Sequence, residues 1–319
     1  KGITAENYIK EAKETICTQL KCKPKEIIFT SGGTESNNMA FIGTAIANRR
    51  AGKHVITTRI EHASVHEPMA YLEEMGYDVT YLPVDSTGRV SVEELENAIR
   101  EDTFLISIMY VNNEVGSVQP IEQIGQMLKK KHPQILFHVD AIQAFGKYKI
   151  VPKKLGVDMM SVSGHKIHGP KGSGFLYVNE KVKIRPILFG GGQQDGMRSG
   201  TENVPAIAGL GVAVKEIYTG HSEKRAKLYE LKKRLIAGLQ DVDGVTINAL
   251  IDPIEETAPH IVSVSFANTR SEVMLHALAQ KGVFVSSGSA CSSNHPELSG
   301  TLQAIGVISE LLDSTLRFS

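Results

Sequence analysis

The sequence predicts an α/β fold: a large domain with a mostly parallel seven-stranded sheet flanked by helices, then a smaller α+β C-terminal domain. Three observations lead there. Short apolar, β-branched runs alternate with longer amphipathic segments up to residue 178. The runs are near-continuously apolar rather than alternating, so both of their faces need cover, which crossover helices between parallel strands supply. From about residue 203 the texture changes, with a charged helical stretch followed by short strand-like runs.

In chain order, "KGITAENYIKEAKETI" opens as a helix, and the strand candidates are "EIIFTS", "KHVITT", "DVTYLPV", "TFLISIMYV", "ILFHVDA", "VDMMSVS" and "GFLYV", the last an antiparallel member. Helical patterns fall between them at 34–49, 66–75, 92–99 and 121–131. The charged stretch from 203 reads as one long helix to about 240; then "VTIN", "HIVSVSF", a helix from Ser271 and "VFVSS" build the smaller unit. The division is expected near residue 217, giving a large domain over 1–217 and a small one over 218–319.

The 319 residues carry 35 basic and 35 acidic side chains, and this zero net charge leaves no electrostatic footprint for nucleic acid or an anionic membrane. No apolar run approaches the roughly 20 residues that span a bilayer, and no signal-peptide pattern opens the chain. Three scattered cysteines, Cys17, Cys22 and Cys291, argue against a disulfide framework and for a reducing, cytoplasmic setting. Cys17 and Cys22 read as small buried hydrophobes of the first helix.

Chemistry gathers where strands end. In "FTSGGTESNN" a strand runs through Gly32 and Gly33 into a helix begun by Thr34. Helix-start amides and a hydroxyl there suit a phosphate, and an ordinary glycine turn with a capping threonine is the equal alternative. In "FHVDAIQAFG", Asp140 closes an apolar strand, where a carboxylate needs a cation such as a protonated pyridine nitrogen, or else caps a helix. Gln143 follows at a spacing that reaches the same side. In "SVSGHKIHGPKG", Ser163 and His165 bring hydrogen-bonding groups to a turn that carries Lys166, a candidate imine-forming amine. Phosphate cup, acid and lysine together match pyridoxal 5'-phosphate, although each alone is ordinary. His62 and His66, four residues apart, suit zinc on a helix, but no third ligand stands near and HExxH is absent; stacking of an imidazole on a cofactor ring, or packing, is favoured. "FVSSGSACSSNHPELSG" places Cys291 among small polar residues, as an exposed thiol suited to nucleophilic attack. In "STLRFS", Arg317 can grip a carboxylate bidentately, or form a surface ion pair.

With these residues assembled, the chain resembles the cysteine desulfurases, class V aminotransferases of fold-type I pyridoxal phosphate architecture. The stretches that carry the resemblance are "TSGGTESNN", "EHASV", "NNEVGSVQP", "HVDAIQAFGK", "SGHKIHGPKG", "RSGTEN", "SEVMLHAL", "SSGSACSS" and "LRFS", in the expected order from residue 28 to 319. The resemblance implies that Lys166 binds the cofactor covalently and acts as general base, Asp140 pairs with the pyridine nitrogen, Gln143 bonds the phenolic oxygen and His62 stacks on the ring. It implies that Gly33, Thr34, Ser163 and His165 hold the phosphate, with Thr201 contributed by the neighbouring subunit of a homodimer. Asn113 and Arg317 would position the carboxylate of L-cysteine, and Cys291 would take its sulfur as a persulfide, releasing alanine. A sulfur-acceptor protein of iron–sulfur assembly or tRNA thiolation would follow, without direct contact with nucleic acid or membrane. The 25 residues between Cys291 and Arg317 suit the subgroup with a long, mobile cysteine loop. The family's usual opening, similar to "YLDNAATT" and "NPSS", and the closing strand and helix of its small domain lie outside this sequence, so natural termini are expected beyond it. Selenocysteine lyase or another class V enzyme is the alternative reading, and a non-catalytic scaffold a more distant one.

Overall fold

The computed structural model describes residues 2–287 and 298–319. Seven strands form the large sheet: β1 (Ile27–Thr30), β2 (His54–Thr58), β3 (Asp78–Leu82), β4 (Thr103–Met109), β5 (Leu136–Asp140), β6 (Met159–Ser163) and β7 (Gly174–Val178). Their order is β1-β7-β6-β5-β4-β2-β3. The pairings among β2 to β6 are parallel, whereas β7 runs antiparallel to both β1 and β6.

Both faces of this sheet are covered, which is why its strands read as continuous apolar runs. On one face Phe41, Met39 and Met69, from the helices Gly33–Ala47 and Ala63–Glu74, pack on Val55, Leu105, Met159 and Leu176. On the other, Ile16, Ile124, Leu128, Leu210 and Val214 cover Ile106, Phe137, Val139, Met160 and Val162. Alternate residues of β5 and β6 thus serve opposite layers.

The small sheet has β8 (Val245–Ile247), β9 (Val262–Phe266), β10 (Ser286–Ser287) and β11 (Thr315–Phe318), in the order β10-β11-β9-β8 and wholly antiparallel. Ile236 and its neighbours on the helix His221–Gln240 cover it.

The single charged helix expected from residue 203 to 240 is two. Val204–Tyr218 ends before Gly220, whose φ of +60° starts a new direction for His221–Gln240. The first of these lies on the opening helix Gly2–Leu20 so closely that a Cβ at Gly211 would come 2.8 Å from Ala12 Cα. Cys17 is buried in that opening helix as expected, but Cys22 lies beyond its end and is only half-buried. No helix among the described residues is long and apolar enough to cross a membrane.

Candidate active site

The carboxyl ends of β1, β4, β5 and β6 open on one side of the sheet, and a cavity of about 280 Å³ lies there. Its walls include Gly33, Thr34, His62, Asn113, Asp140, Gln143, Ser163, His165, Lys166 and Arg317. The structure therefore brings together every candidate except Thr201, which is exposed and does not line it, and Cys291, which lies outside the described residues. A larger cavity of about 570 Å³ adjoins it, sharing Asn113, Gln143, His165, Lys166 and Arg317.

Asp140 is the last residue of β5 and only 4% exposed. Its Oδ2 accepts from Asn37 Nδ2 at 3.0 Å and its Oδ1 from the Ile142 amide at 3.0 Å. Burial pushes its pKa up, and these donors, with the nearby His62, pull it partly back. The two donors are neutral, so a cation in the cavity would stabilise the carboxylate further.

Gly32 passes from β1 into the helix Gly33–Ala47 at φ +151°, a conformation glycine alone adopts readily. The turn is tight: a Cβ at Gly174 of β7 would come 2.8 Å from Gly32 Cα and 2.5 Å from the Val162 carbonyl. The first amides of a helix have no partner inside it, and Gly33 and Thr34, which begin this one, line the cavity. Ser163 closes β6, with its Oγ 2.8 Å from His165 Nδ1. Burial, then the Lys166 and Lys171 cations, hold the His165 pKa below the usual imidazole range. The site thus concentrates anion-binding groups at one end.

Lys166 sits in a single 3₁₀ turn, Gly164–Ile167, that ends at His168 in the left-handed region. Gly164 packs closely there: a Cβ would come 2.4 Å from Ser173 Oγ, so that hydroxyl would have to move. Lys147 Nζ donates to the Lys166 carbonyl at 3.4 Å. On the opposite wall His62 is the N-cap of Ala63–Glu74; its Nδ1 accepts from the Ser64 amide at 3.1 Å and lies 2.9 Å from Ser64 Oγ. His66 instead stacks on Tyr81, with ring centroids 5.8 Å apart. Among the described residues no group of three or more histidine, cysteine or acidic side chains could hold a metal.

Arg317, in β11, reaches the large sheet. Its Nη1 donates to the Asn113 carbonyl at 2.9 Å and its Nη2 to Ser286 Oγ at 3.2 Å. Glu114 accepts from Ser299 Oγ, a second link between this loop and the C-terminal part of the chain.

Three functional neighbours were not legible as such in the sequence. Asn37 bridges Asp140 and Ser64 Oγ, at 3.0 Å each. His260 places its Nε2 3.2 Å from Gln143 Oε1. Glu35 receives Arg198 Nε at 2.8 Å and the Ser31 amide at 2.7 Å, fixing the 185–200 loop to the glycine turn.

Comparison with known proteins agrees with this geometry. The profile of the family described as Aminotransferase class-V matches residues 2–319. The chain is 46% identical over 318 residues to the cysteine desulfurase IscS of Methanosarcina thermophila, covering all of this chain and 78% of that protein. It is 44% identical over 319 residues to the putative cysteine desulfurase IscS 1 of Bacillus subtilis, covering 83% of it. This chain is a cysteine desulfurase of the class-V aminotransferase family.

Solved structures share its architecture. One described as a NifS-like protein superposes with a TM-score of 0.92 at 41% identity, over all of this chain and 83% of the other. Another, described as SspA in complex with cysteine, gives 0.81 at 36% identity, over all of this chain and 88% of the other. The expected seven-stranded, mostly parallel sheet with a smaller C-terminal sheet is the fold observed here.

Proposed function

We propose that this cysteine desulfurase uses pyridoxal 5'-phosphate to convert L-cysteine to L-alanine and takes the sulfur as a persulfide on Cys291. The observation that carries the reading is the convergence of Lys166, Asp140 with Gln143, His62 and Arg317 on one cavity from four separate parts of the chain.

The residues fit the cofactor. A buried carboxylate with only neutral donors in its hydrogen bonds suits a protonated ring nitrogen, and the cluster of amides, Thr34, Ser163 and His165 suits a phosphate. His62, with its ring fixed by Ser64, offers a flat face for stacking. When bound, the cofactor supplies an electron sink that no side chain provides. Lys166 would anchor it, then take the Cα proton of the substrate. Asn113 and the forked Arg317 guanidinium would hold the substrate carboxylate. The sulfur step balances: the Cβ–S bond of cysteine breaks, Cys291 sulfur bonds to that sulfur, and a proton ends on Cβ of alanine.

We further propose that the enzyme is a cytoplasmic homodimer in which Thr201 serves the neighbouring site; its exposure, and its place outside the lining of its own cavity, support that role. The chain is divided near residue 217, and a protein of iron–sulfur assembly or tRNA thiolation accepts the sulfur. The test is alanine release from L-cysteine by cofactor-loaded protein. Lys166→Ala removes both the visible cofactor band and alanine formation, whereas Cys291→Ala keeps the band and loses the persulfide. Sulfur transfer that survives Cys291→Ala sinks the mechanism.

A further inference from the structure

The segment leading into β9 is fixed from two directions. Lys232, only 6% exposed in the helix His221–Gln240, donates to Thr257 Oγ1 and to the Ala258 carbonyl, each at 2.7 Å. From the other side the Ala258 amide donates to the Gly116 carbonyl at 2.8 Å. Two residues on, His260 is thereby held at the edge of the larger cavity, with Nε2 3.2 Å from Gln143 Oε1.

The chemistry of the ring selects one arrangement. His260 Nδ1 is buried and has no hydrogen-bond partner among the described residues. A proton on Nδ1 would strand an N–H donor in the interior, at a cost of roughly 1–3 kcal/mol, whereas a proton on Nε2 is used and leaves only a lone pair at Nδ1. The charged groups acting on the ring, Lys147, Lys232, Lys166 and Arg317, are all cationic. Burial first, and then these cations, push its pKa down to about 3, so the imidazole stays neutral across the physiological range.

We propose that His260 is a positioning residue: by donating from Nε2 to Gln143 Oε1 it locks the Gln143 amide so that its NH₂ group faces the cavity as a donor. An amide side chain can otherwise turn over and offer its acceptor instead. What the NH₂ group meets, an anionic oxygen of the bound cofactor, rests on the function proposed above; the lock itself does not require the cofactor.

Two measurements separate these parts. In cofactor-free protein with ¹⁵N-labelled histidine, the His260 resonances, assigned by their absence in His260→Gln, show a neutral ring with a slowly exchanging Nε2–H. That signal becomes exchange-broadened in Gln143→Leu. A proton on Nδ1, or an Nε2–H signal unchanged in Gln143→Leu, overturns the lock with no reference to the cofactor. In loaded protein, His260→Leu moves the pH midpoint of the visible cofactor band upward by about one unit, as expected for loss of one hydrogen bond to a charged oxygen. His260→Gln, which restores a donor, returns the midpoint towards the parent value. A midpoint unmoved in His260→Leu but displaced in Gln143→Leu overturns the proposal. Absence of any band in the parent protein counts against the cofactor reading and leaves the NMR result to decide the lock.

Discussion

Asn37 Nδ2 donates to Asp140 Oδ2 and to Ser64 Oγ, at 3.0 Å in each case, so one fully buried amide joins three elements of the large domain. Ser64 in turn holds His62 through its amide and hydroxyl. The acid at the end of β5 and the imidazole on the opposite wall are therefore set by one short chain of hydrogen bonds. Asn37→Ala removes a donor from a buried carboxylate and is expected to cost about 1.5–3 kcal/mol of stability. Urea unfolding measures it; a loss below half a kcal/mol would show that Asp140 does not depend on this donor.

Glu61 gives the fold a pH dependence of defined sign. Its carboxyl is buried beside β4, with Oε1 accepting from Thr58 Oγ1 at 2.8 Å and the Met109 amide at 3.0 Å, while Oε2 lacks a partner among the described residues. Burial pushes its pKa up to about 8. The native state then keeps a proton that the unfolded chain releases near pH 4.5, so stability falls as pH rises between these values. The slope reaches about 1.4 kcal/mol per pH unit. Glu61→Gln is expected to flatten this part of the profile. Denaturant midpoints of the two proteins should move apart as pH rises from 5 to 8, the parent falling relative to the variant; parallel profiles for the two proteins exclude it.

Gln194 closes the edge of the large sheet. Its Oε1 accepts from the Phe29 amide at 2.6 Å and its Nε2 donates to the Phe29 carbonyl at 2.8 Å, as a neighbouring strand would. Exposed edges invite intermolecular pairing. Gln194→Ala leaves both backbone groups of Phe29 without this partner, with an expected loss of about 1–3 kcal/mol and a greater tendency to aggregate. Light scattering during thermal unfolding reads the second effect, and an unchanged onset argues that another segment guards β1.

Two glycines should respond in opposite ways to the same added methyl. At Gly174 the new Cβ meets backbone on both sides, so Gly174→Ala is expected to cost about 1–3 kcal/mol and to disturb the Gly32 turn. At Gly238, inside a helix, nothing lies within 4 Å, and Gly238→Ala is expected to add up to about 1 kcal/mol. Melting temperatures of the two variants should move apart; a shift of the same sign in both contradicts the packing argument.

Much of this architecture is legible in the sequence, for local reasons. Continuous apolar runs mark the strands because helices cover both faces, and Asp140 stands out because a carboxylate ending such a run needs a partner. Lys166 acquires meaning only alongside the glycine turn and the acid. Asn37, Gln194 and His260 are different: their partners lie 103, 165 and 117 residues away, and polar residues in a helix, loop or turn carry no local mark of the contact. The break at Gly220 was also hidden, because helical patterning continues on both sides of one glycine.

Arg317 and Asn113 are 204 residues apart, and their contact is made by the small sheet reaching across to the large one. Its consequence is a hierarchy of local unfolding. Opening of β11 alone withdraws the guanidinium while Asp140, Gln143, Ser163 and Lys166 remain on their own strands and turns. On the proposed function, that sub-global state would retain a cofactor yet be unable to grip a carboxylate. Amide exchange in β11 faster than in β5 would reveal it, and under mild denaturant substrate affinity would decay before the coloured state of the enzyme does.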